Sequence, residues 1–297
     1  MLMRPCKRPE WRTEGMTLVE LAVVLAILGI LAGAAVPMAR VYFQNAVRDR
    51  IDERLNEAAV ALTAYWGSHG ALPCPDADGD GSGDCSSGSG ARLTGLLPHA
   101  DLGLPPNDGA GRPLTYVVLR QLTEHTSVTA TIRAGRCEAL AALSSSTDLR
   151  VQDNGATVSV PFVLVSGGPE NRDGAGGYLD GENADGNDGL YQRKPPDTTF
   201  DDVTAYVSAY ALWRSGCGTL VVQNAAGGTF TGSLQVDQSF DSGTSWTNLA
   251  SVPDGTSSAI LQIEAGSWIR VVDASSAATV DQFAFTSGPA SLRYDTP

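Results

Sequence analysis

The stretch GMTLVELAVVLAILGILAGAAVP, residues 15–37, decides the architecture of the N-terminal part of this chain. Its residues from Leu21 to Val36 carry no charge and no strongly hydrogen-bonding side chain. Counted from Met16 to Ala39, the apolar segment would form a helix roughly 36 Å long, which is enough to cross the hydrocarbon core of a bilayer. The sequence therefore predicts a long apolar helix near the N-terminus.

Two hypotheses explain this apolar segment. The first is an ordinary secretory signal peptide, with the small residues Ala32-Gly33-Ala34 as its cleavage site. The second starts from Glu20, because a carboxylate inside an apolar helix costs on the order of 2.5–3.5 kcal/mol at the helix centre and less near its edge. A signal peptide that is removed has no use for that charge. In an assembly of such helices, Glu20 could pair with the freed amino group of Met16 on a neighbouring chain, and we therefore favour the second hypothesis.

Residues 15–37 resemble the class III signal peptide of type IV pilins and type II secretion pseudopilins. The resemblance implies that a prepilin peptidase cuts after Gly15 and methylates the new N-terminal residue, Met16. It also implies that Glu20 sets the register between subunits of a filament. Pro37 matches the proline that bends the helix in this family, since a proline lacks the backbone donor that a straight helix uses. Met16 departs from the family pattern, which usually has phenylalanine.

The resemblance also implies where the chain resides and what it meets. The segment before Gly15 is rich in positive charge, which predicts that it stays in the cytoplasm. The precursor is then expected to be a single-pass protein of the inner membrane, and the processed chain to be part of a periplasmic or cell-surface filament. Its expected partners are the prepilin peptidase, the inner membrane before assembly, and other pilin or pseudopilin subunits.

Hydrophobic periodicity predicts that the helix continues into a soluble head. Apolar residues recur every three or four positions, as on one face of an amphipathic helix, at Val47, Ile51, Leu55, Ala58, Leu62 and Tyr65. Beyond the helix, the segments Val158–Val165 and Phe200–Ser208 have the pattern of strands. We therefore predict an α+β fold in which a long helical spine packs on an antiparallel sheet, as in pilins.

The predicted organisation has four parts: a leader (1–15), a membrane and filament helix (16–66), a pilin-like globular head (67–215) and a small all-β sandwich (216–297). The last boundary rests on a change of pattern at Gly216, after which short apolar strands and turns alternate closely. Typical pilins lack such a module. Within the head, three segments resemble motifs of a subgroup of large pilin-like proteins: residues 72–81, 165–171 and 200–203.

The cysteines predict disulfides. The mature chain keeps four of them, since Cys6 leaves with the leader. An even number in an exported chain favours disulfides over free thiols or a metal site. Four cysteines allow three pairings. Of these we favour Cys74–Cys85, which closes a short loop, together with Cys137–Cys217, which ties the head to the sandwich.

Four aspartates after the helix form a candidate structural Ca²⁺ site: Asp76, Asp78, Asp80 and Asp84. Alternate carboxylates among glycines suit Ca²⁺, which takes hard oxygen ligands on a tightly turning backbone. The spacing follows an EF-hand loop as far as its ninth position, but Ser87 stands where the bidentate glutamate would be. A solvated acidic loop held by a disulfide explains the same pattern. A second acidic segment, residues 180–188, has no regular spacing and is a weaker candidate.

Composition and motifs argue against several other functions. The net charge is −13, whereas nucleic acid as a partner requires a basic surface. The sequence has no nucleophile elbow, no phosphate-binding loop and no helical pair of zinc-binding histidines. We therefore expect neither nucleic-acid binding nor enzymatic activity.

Two functions fit the sequence. The first is a structural subunit, and a minor one, of a type IV pilus or a type II secretion pseudopilus. An extra domain on every subunit would crowd a helical array, so the sandwich is expected at the filament tip for capping, priming or adhesion. The alternative is a membrane-tethered or secreted adhesin or lectin-like module that does not polymerise. In that case Trp246, Trp268 and Phe240 could stack on a surface glycan.

Overall fold

The computed structural model of the chain describes residues 17–85, 90–123, 135–143, 148–174, 176–186, 188–224, 229–256, 258–285 and 290–294. Side chains are described over these ranges except at residues 34–38, 40 and 290–294. One long helix is followed by strands and short helices, which confirms the predicted α+β class.

The long helix α1 (Leu18–His69) contains the predicted spine. It ends before Gly70, whose φ of 64° is left-handed backbone that favours glycine, and the N–H of Gly70 bonds to the carbonyl of Trp66 at 2.8 Å. Residues up to Ala46 form one compact unit, and the residues from Val47 onward form a second.

The second unit contains the head and the sandwich. The strands of the head are β1 (Arg92–Leu96), β2 (Thr115–Leu119), β3 (Arg150–Asp153), β4 (Ala156–Ser159), β5 (Phe162–Ser166), β6 (Leu190–Arg193) and β7 (Val203–Tyr206). Its helices after α1 are a 3-10 helix (Arg120–Leu122), α2 (Arg136–Ala141), α3 (Glu182–Asp185) and α4 (Ala209–Gly216).

A four-stranded antiparallel sheet, in the order β1-β2-β5-β7, forms the centre of the head. One face of α1 packs into the same core through side chains that are all buried: Ile51, Leu55, Ala58, Leu62 and Trp66. The predicted apolar stripe is buried from Ile51 to Leu62, Val47 packs against the core while partly buried, and Trp66 rather than Tyr65 is buried at the last position. The helical spine thus packs on an antiparallel sheet, as expected.

The prediction of one strand over Val158–Val165 is wrong. The chain forms β4 and β5 instead, and the break between them falls at Pro161. A proline has no N–H for the ladder of a central strand, so pairing stops there. β4 pairs with β3, whereas β5 pairs with β2 and β7. The side chain of Val158 is consequently 38% exposed, while Val160 and Phe162 are buried.

A second, three-stranded sheet of the head departs from the antiparallel expectation. Its order is β4-β3-β6, and β3 runs parallel to β6. A parallel pair needs a long crossover, and residues 154–189 supply it. This crossover contains the glycine-rich turn after β5 and the second acidic segment.

The C-terminal strands form two sheets around one apolar core. They are β8 (Cys217–Asn224), β9 (Leu234–Ser239), β10 (Thr247–Val252), β11 (Ser258–Glu264), β12 (Trp268–Asp273), β13 (Thr279–Ala284) and β14 (Ala290–Tyr294). The sheet orders are β10-β9-β12-β13 and β11-β8-β14. Side chains from both sheets share a buried cluster that includes Leu220, Val236, Ile263 and Val271. This arrangement is the all-β sandwich that the sequence predicts.

Two disulfides join the cysteines in the pairing that the sequence favours. Cys74 is bonded to Cys85, eleven residues away, and Cys137 is bonded to Cys217, eighty residues away. Cys137 lies in α2 and Cys217 is the first residue of β8. The second disulfide therefore connects the head to the first strand of the sandwich.

Candidate functional site

The start of α1 is fixed by a hydrogen bond from its own first turn. Thr17 precedes the helix, and its Oγ1 accepts the N–H of Glu20 at 3.3 Å. Threonine at the cap with glutamate three residues later is the pattern of a capping box, and a carboxylate near a helix N-terminus is also favoured by the helix dipole. Thr17 therefore caps α1 through the backbone N–H of Glu20 and not through the Glu20 carboxylate. Gly15 and Met16 lie outside the described residues.

The first turns of α1 leave their apolar side chains uncovered. The exposed fraction is 85% for Leu18, 74% for Ile30 and 61% for Leu31. Glu20 is the only charged residue from Leu18 to Gly33. The chain remains helical through Pro37.

No helix in the described part of the chain is long and apolar enough to cross a membrane. The predicted membrane segment, residues 16–39, falls in part on Met16 and on the side chains of 34–38, which lie outside the description.

The acidic loop after α1 turns around Asp76. This carboxylate is 1% exposed and accepts the N–H groups of Gly79 at 2.6 Å and Gly81 at 2.9 Å. The carboxylate of Asp84 accepts the N–H of Ala77 at 2.8 Å. Oxygen atoms of Asp76, Asp78 and Asp84 lie within 4.8 Å of one another.

Asp80, the fourth predicted ligand, is not in that group. Its Oδ1 accepts the N–H of Ser82 at 2.8 Å, and its N–H bonds to Asp78 at 3.1 Å. Ser87 lies outside the described residues. The loop thus brings three of the four predicted carboxylates together, and Asp80 holds the turn between them.

A second carboxylate cluster is buried in the head. Oxygen atoms of Asp180, Asp201 and Asp202 lie within 4.8 Å of one another, and the three residues are at most 2% exposed. Asp201 and Asp202 directly precede β7, while Asp180 begins the second acidic segment and lies just before α3. Of these three residues, only Asp180 belongs to the second acidic segment, residues 180–188, which the sequence offers as a weaker candidate site. The sequence feature that could have indicated Asp201 and Asp202 is their position as adjacent aspartates between Phe200 and Val203, at the start of a core strand.

Backbone N–H groups hold these carboxylates in place. Asp180 accepts the N–H of Arg172 at 3.0 Å and that of Asp201 at 2.9 Å. Asp202 accepts the N–H of Asp180 at 2.9 Å, and Asp201 accepts that of Glu170 at 3.0 Å. Three of these bonds join residues 21 to 31 positions apart, so the cluster connects the turn after β5, the acidic segment and β7.

Two oxygens of the cluster have no hydrogen-bond partner among the described residues. They are Oδ1 of Asp201 and Oδ1 of Asp202, and both are buried. Burial, together with the nearby charge of Asp180, raises the pKa of Asp201 to about 6 and that of Asp202 to about 7. Buried, closely spaced carboxylates with unmet oxygens are a costly arrangement for negative charge.

The glycine-rich turn after β5 is shaped to approach this cluster. A Cβ on Gly168 would lie 2.7 Å from Oδ1 of Asp201, and the φ of Gly168 is 62°. Only glycine meets both conditions without strain. Two of the three motif-like segments of the head, residues 165–171 and 200–203, therefore meet at one place.

One face of the Trp246 ring in the sandwich is occupied by an arginine. The guanidinium of Arg270 lies 4.5 Å from the ring centroid of Trp246. Asp237 holds that guanidinium through an ion pair of 2.6 Å. Arg270 thus covers one face of the ring that a sugar would stack on.

Comparisons with known proteins include one family model and one curated relative. A family model for the prokaryotic N-terminal methylation motif matches residues 12–36. The fimbrial protein EcpB of Eikenella corrodens is 34% identical over 71 residues. The match spans 24% of this chain and 44% of that curated relative, so it covers less than half of the relative's length.

Proposed function

We propose that this chain, which is type IV pilin-like, is a structural subunit of an extracytoplasmic filament, either a type IV pilus or a type II secretion pseudopilus. A prepilin peptidase cuts it after Gly15 and methylates Met16. The precursor is held in the inner membrane by α1 until the processed chain joins other pilin subunits. One observation carries the proposal: the methylation motif leads directly into a helix with exposed apolar side chains and Glu20 as its single early charge.

Those exposed side chains support assembly through α1. A helix that is apolar all round is stable in lipid or among other helices, but not in water. Membrane lipid covers it before assembly, and the corresponding helices of neighbouring subunits cover it afterwards. The carboxylate of Glu20 then needs a cation in the filament, and the amino group of Met16 on a neighbour supplies one.

Filament preparations test the proposal directly. Antibodies against the chain should detect it, without its leader, in filaments sheared from the cells and washed. A chain that is recovered from membranes or medium and is absent from the sheared filaments would support the tethered or secreted adhesin instead.

We further propose that the subunit is a minor one and that its sandwich lies at the filament tip, for capping, priming or adhesion. The sandwich has its own core and is joined to the head by the Cys137–Cys217 disulfide. Immunogold labelling should therefore mark one end of each filament. Labelling along the whole length would identify a major subunit and contradict the tip assignment.

The acidic loop is proposed to bind Ca²⁺ through Asp76, Asp78 and Asp84, whose oxygens converge. Since Ser87 replaces the bidentate glutamate of an EF-hand, we expect a Kd of roughly 10⁻⁴–10⁻³ M, as in extracellular modules. About a tenfold excess of Ca²⁺ over Kd would stabilise the fold by ~1.4 kcal/mol.

Asp78→Ala should abolish the loop's share of this stabilisation because it removes a converging carboxylate. Asp80→Ala is the matched control, since Asp80 lies outside the group, and it should keep the response. The measurement is the melting temperature of oxidised protein in chelator and in millimolar Ca²⁺. Equal responses of wild type and Asp78→Ala would show that the loop is a solvated acidic turn.

A further inference from the structure

We propose that Asp180, Asp201 and Asp202 form a second site for a hard divalent cation, of which Ca²⁺ is the extracellular example, in the core of the head. The site is separate from the acidic loop after α1, and it does not depend on the proposed filament role. Its ligands come from the acidic segment before α3 and from the residues that precede β7.

The spacing of the carboxylates fits a shared ion. Two oxygens bound to one Ca²⁺ at 2.3–2.6 Å are at most about 5 Å apart. In this cluster, one oxygen from each of the three aspartates lies within 4.8 Å of the others. Hard oxygen ligands of this kind are the ones that Ca²⁺ prefers.

Carboxylate oxygens without a hydrogen-bond donor support the cation site independently of the spacing of the aspartates. Buried carboxylate oxygens are normally hydrogen-bonded, yet Oδ1 of Asp201 and Oδ1 of Asp202 have no donor among the described residues. Both side chains are nine-tenths buried or more. The opposite oxygens are already used: Oδ2 of Asp201 accepts from Glu170 N, and Oδ2 of Asp202 accepts from Asp180 N. The backbone therefore orients each carboxylate and leaves one oxygen of each for another ligand.

The nearby arginines do not replace that ligand. Nε of Arg172 is 3.6 Å from Oδ2 of Asp201, the oxygen that already has a donor. Nη2 of Arg48 donates to the backbone carbonyl of Asp201 at 3.1 Å and not to its carboxylate. Two positive charges thus border three buried carboxylates, and neither bonds to the unmet oxygens.

A cavity borders the cluster on the side of Asp202. Asp202 lines a cavity of about 310 Å³, together with Arg48, Asp52 and Asp153. The polar walls of this cavity would admit water to complete the coordination, which for Ca²⁺ takes six to eight oxygens. The bound ion would tie the turn after β5, the acidic segment and β7 into one structure.

Calcium binding by the processed full-length chain in detergent micelles tests the proposal. The Asp78→Ala variant is used as parent, because it disables the acidic loop and keeps the buried cluster. Equilibrium dialysis followed by metal analysis should find one Ca²⁺ per chain, and Ca²⁺ should raise the melting temperature by roughly 3 °C or more at about tenfold excess over Kd. A parent that binds no Ca²⁺ and melts identically in chelator overturns the proposal.

Asp202→Asn, added to this parent, identifies the site. The amide oxygen of asparagine can still accept from Asp180 N, while an amide nitrogen takes the place of the unmet oxygen. The affinity for Ca²⁺ should fall at least about tenfold. In chelator the variant should melt no lower than its parent, since it loses a repulsive charge. Asp185→Asn, in the exposed part of the same acidic segment, should bind as the parent does. Unchanged Ca²⁺ binding by Asp202→Asn would contradict the assignment.

Discussion

Gly15→Val should leave the chain at its precursor length, with residues 1–15 still attached. The resemblance to prepilins places the scissile bond between Gly15 and Met16, and a branched side chain there would displace that bond from the catalytic groups of the peptidase. Misplacement of a reacting bond by about 1 Å can slow an enzyme roughly 100-fold, so uncut precursor should predominate. Because the precursor is held by its apolar segment, we expect it in the membrane fraction.

Intact-mass measurement of the chain from membranes checks this result. Wild type should have the mass of a chain that begins at Met16 with one added methyl group. Gly15→Ala is the control, since a single methyl is the smallest change at this position, and it should be cut more readily than Gly15→Val. A wild-type chain that begins near Ala35 would indicate an ordinary signal peptide and would contradict the pilin-like processing.

Glu20→Gln should lower recovery of the chain in sheared filaments on the order of 10–100-fold, while processing and membrane insertion stay intact. In the assembled state, the carboxylate of Glu20 and the amino group of Met16 on a neighbour would be desolvated together. Removing one partner of a buried ion pair leaves the other uncompensated, at a cost of about 3–5 kcal/mol in a protein interior. Glu20 lies near the edge of the apolar segment, where an unpaired charge costs less free energy than in a protein interior. The expected loss of filament recovery is therefore smaller than about 3–5 kcal/mol would give.

Two further variants separate the pairing of the Glu20 carboxylate from the capping of α1 by Thr17. Thr17→Ala removes the acceptor of the Glu20 N–H and leaves the charge in place. It should cost about 1 kcal/mol of local helix stability and assemble almost normally. Glu20→Ala removes the carboxylate, keeps the backbone N–H that Thr17 accepts, and should be excluded from filaments. Equal filament recovery of Glu20→Gln and wild type would show that assembly does not need the Glu20 carboxylate, and it would favour the tethered adhesin.

The sequence was most informative where one local rule governs several residues. The helix of residues 18–69 follows from apolar composition and from a stripe at helical spacing, and the terminating Gly70 is a common helix end. The disulfide pairing could be favoured because Cys74 and Cys85 are close in sequence, which leaves one partner each for Cys137 and Cys217. Such features can be predicted without knowing which residues distant in sequence contact one another.

The buried aspartates show what local patterns miss. Asp201 and Asp202 stand between Phe200 and Val203, and strand propensity describes only the apolar neighbours. Their burial depends on the parallel pairing of β3 with β6, which brings the crossover segment against β7. In the sequence, the regular spacing of its aspartates makes the acidic loop after α1 the stronger candidate for a Ca²⁺ site. There, Asp80 alternates with its neighbours in sequence but turns to the backbone of Ser82.

The Cys137–Cys217 disulfide determines how tension passes through the head. A pull between a residue before Cys137 and one after Cys217 runs through the covalent cross-link, so the eighty-residue segment between them carries no force. That segment contains strands β3 to β7, the glycine-rich turn and all three buried aspartates. A load on the sandwich of a filament-bound subunit would therefore stretch neither the crossover nor its carboxylates. Reduction of this one bond would place the whole segment in the line of force.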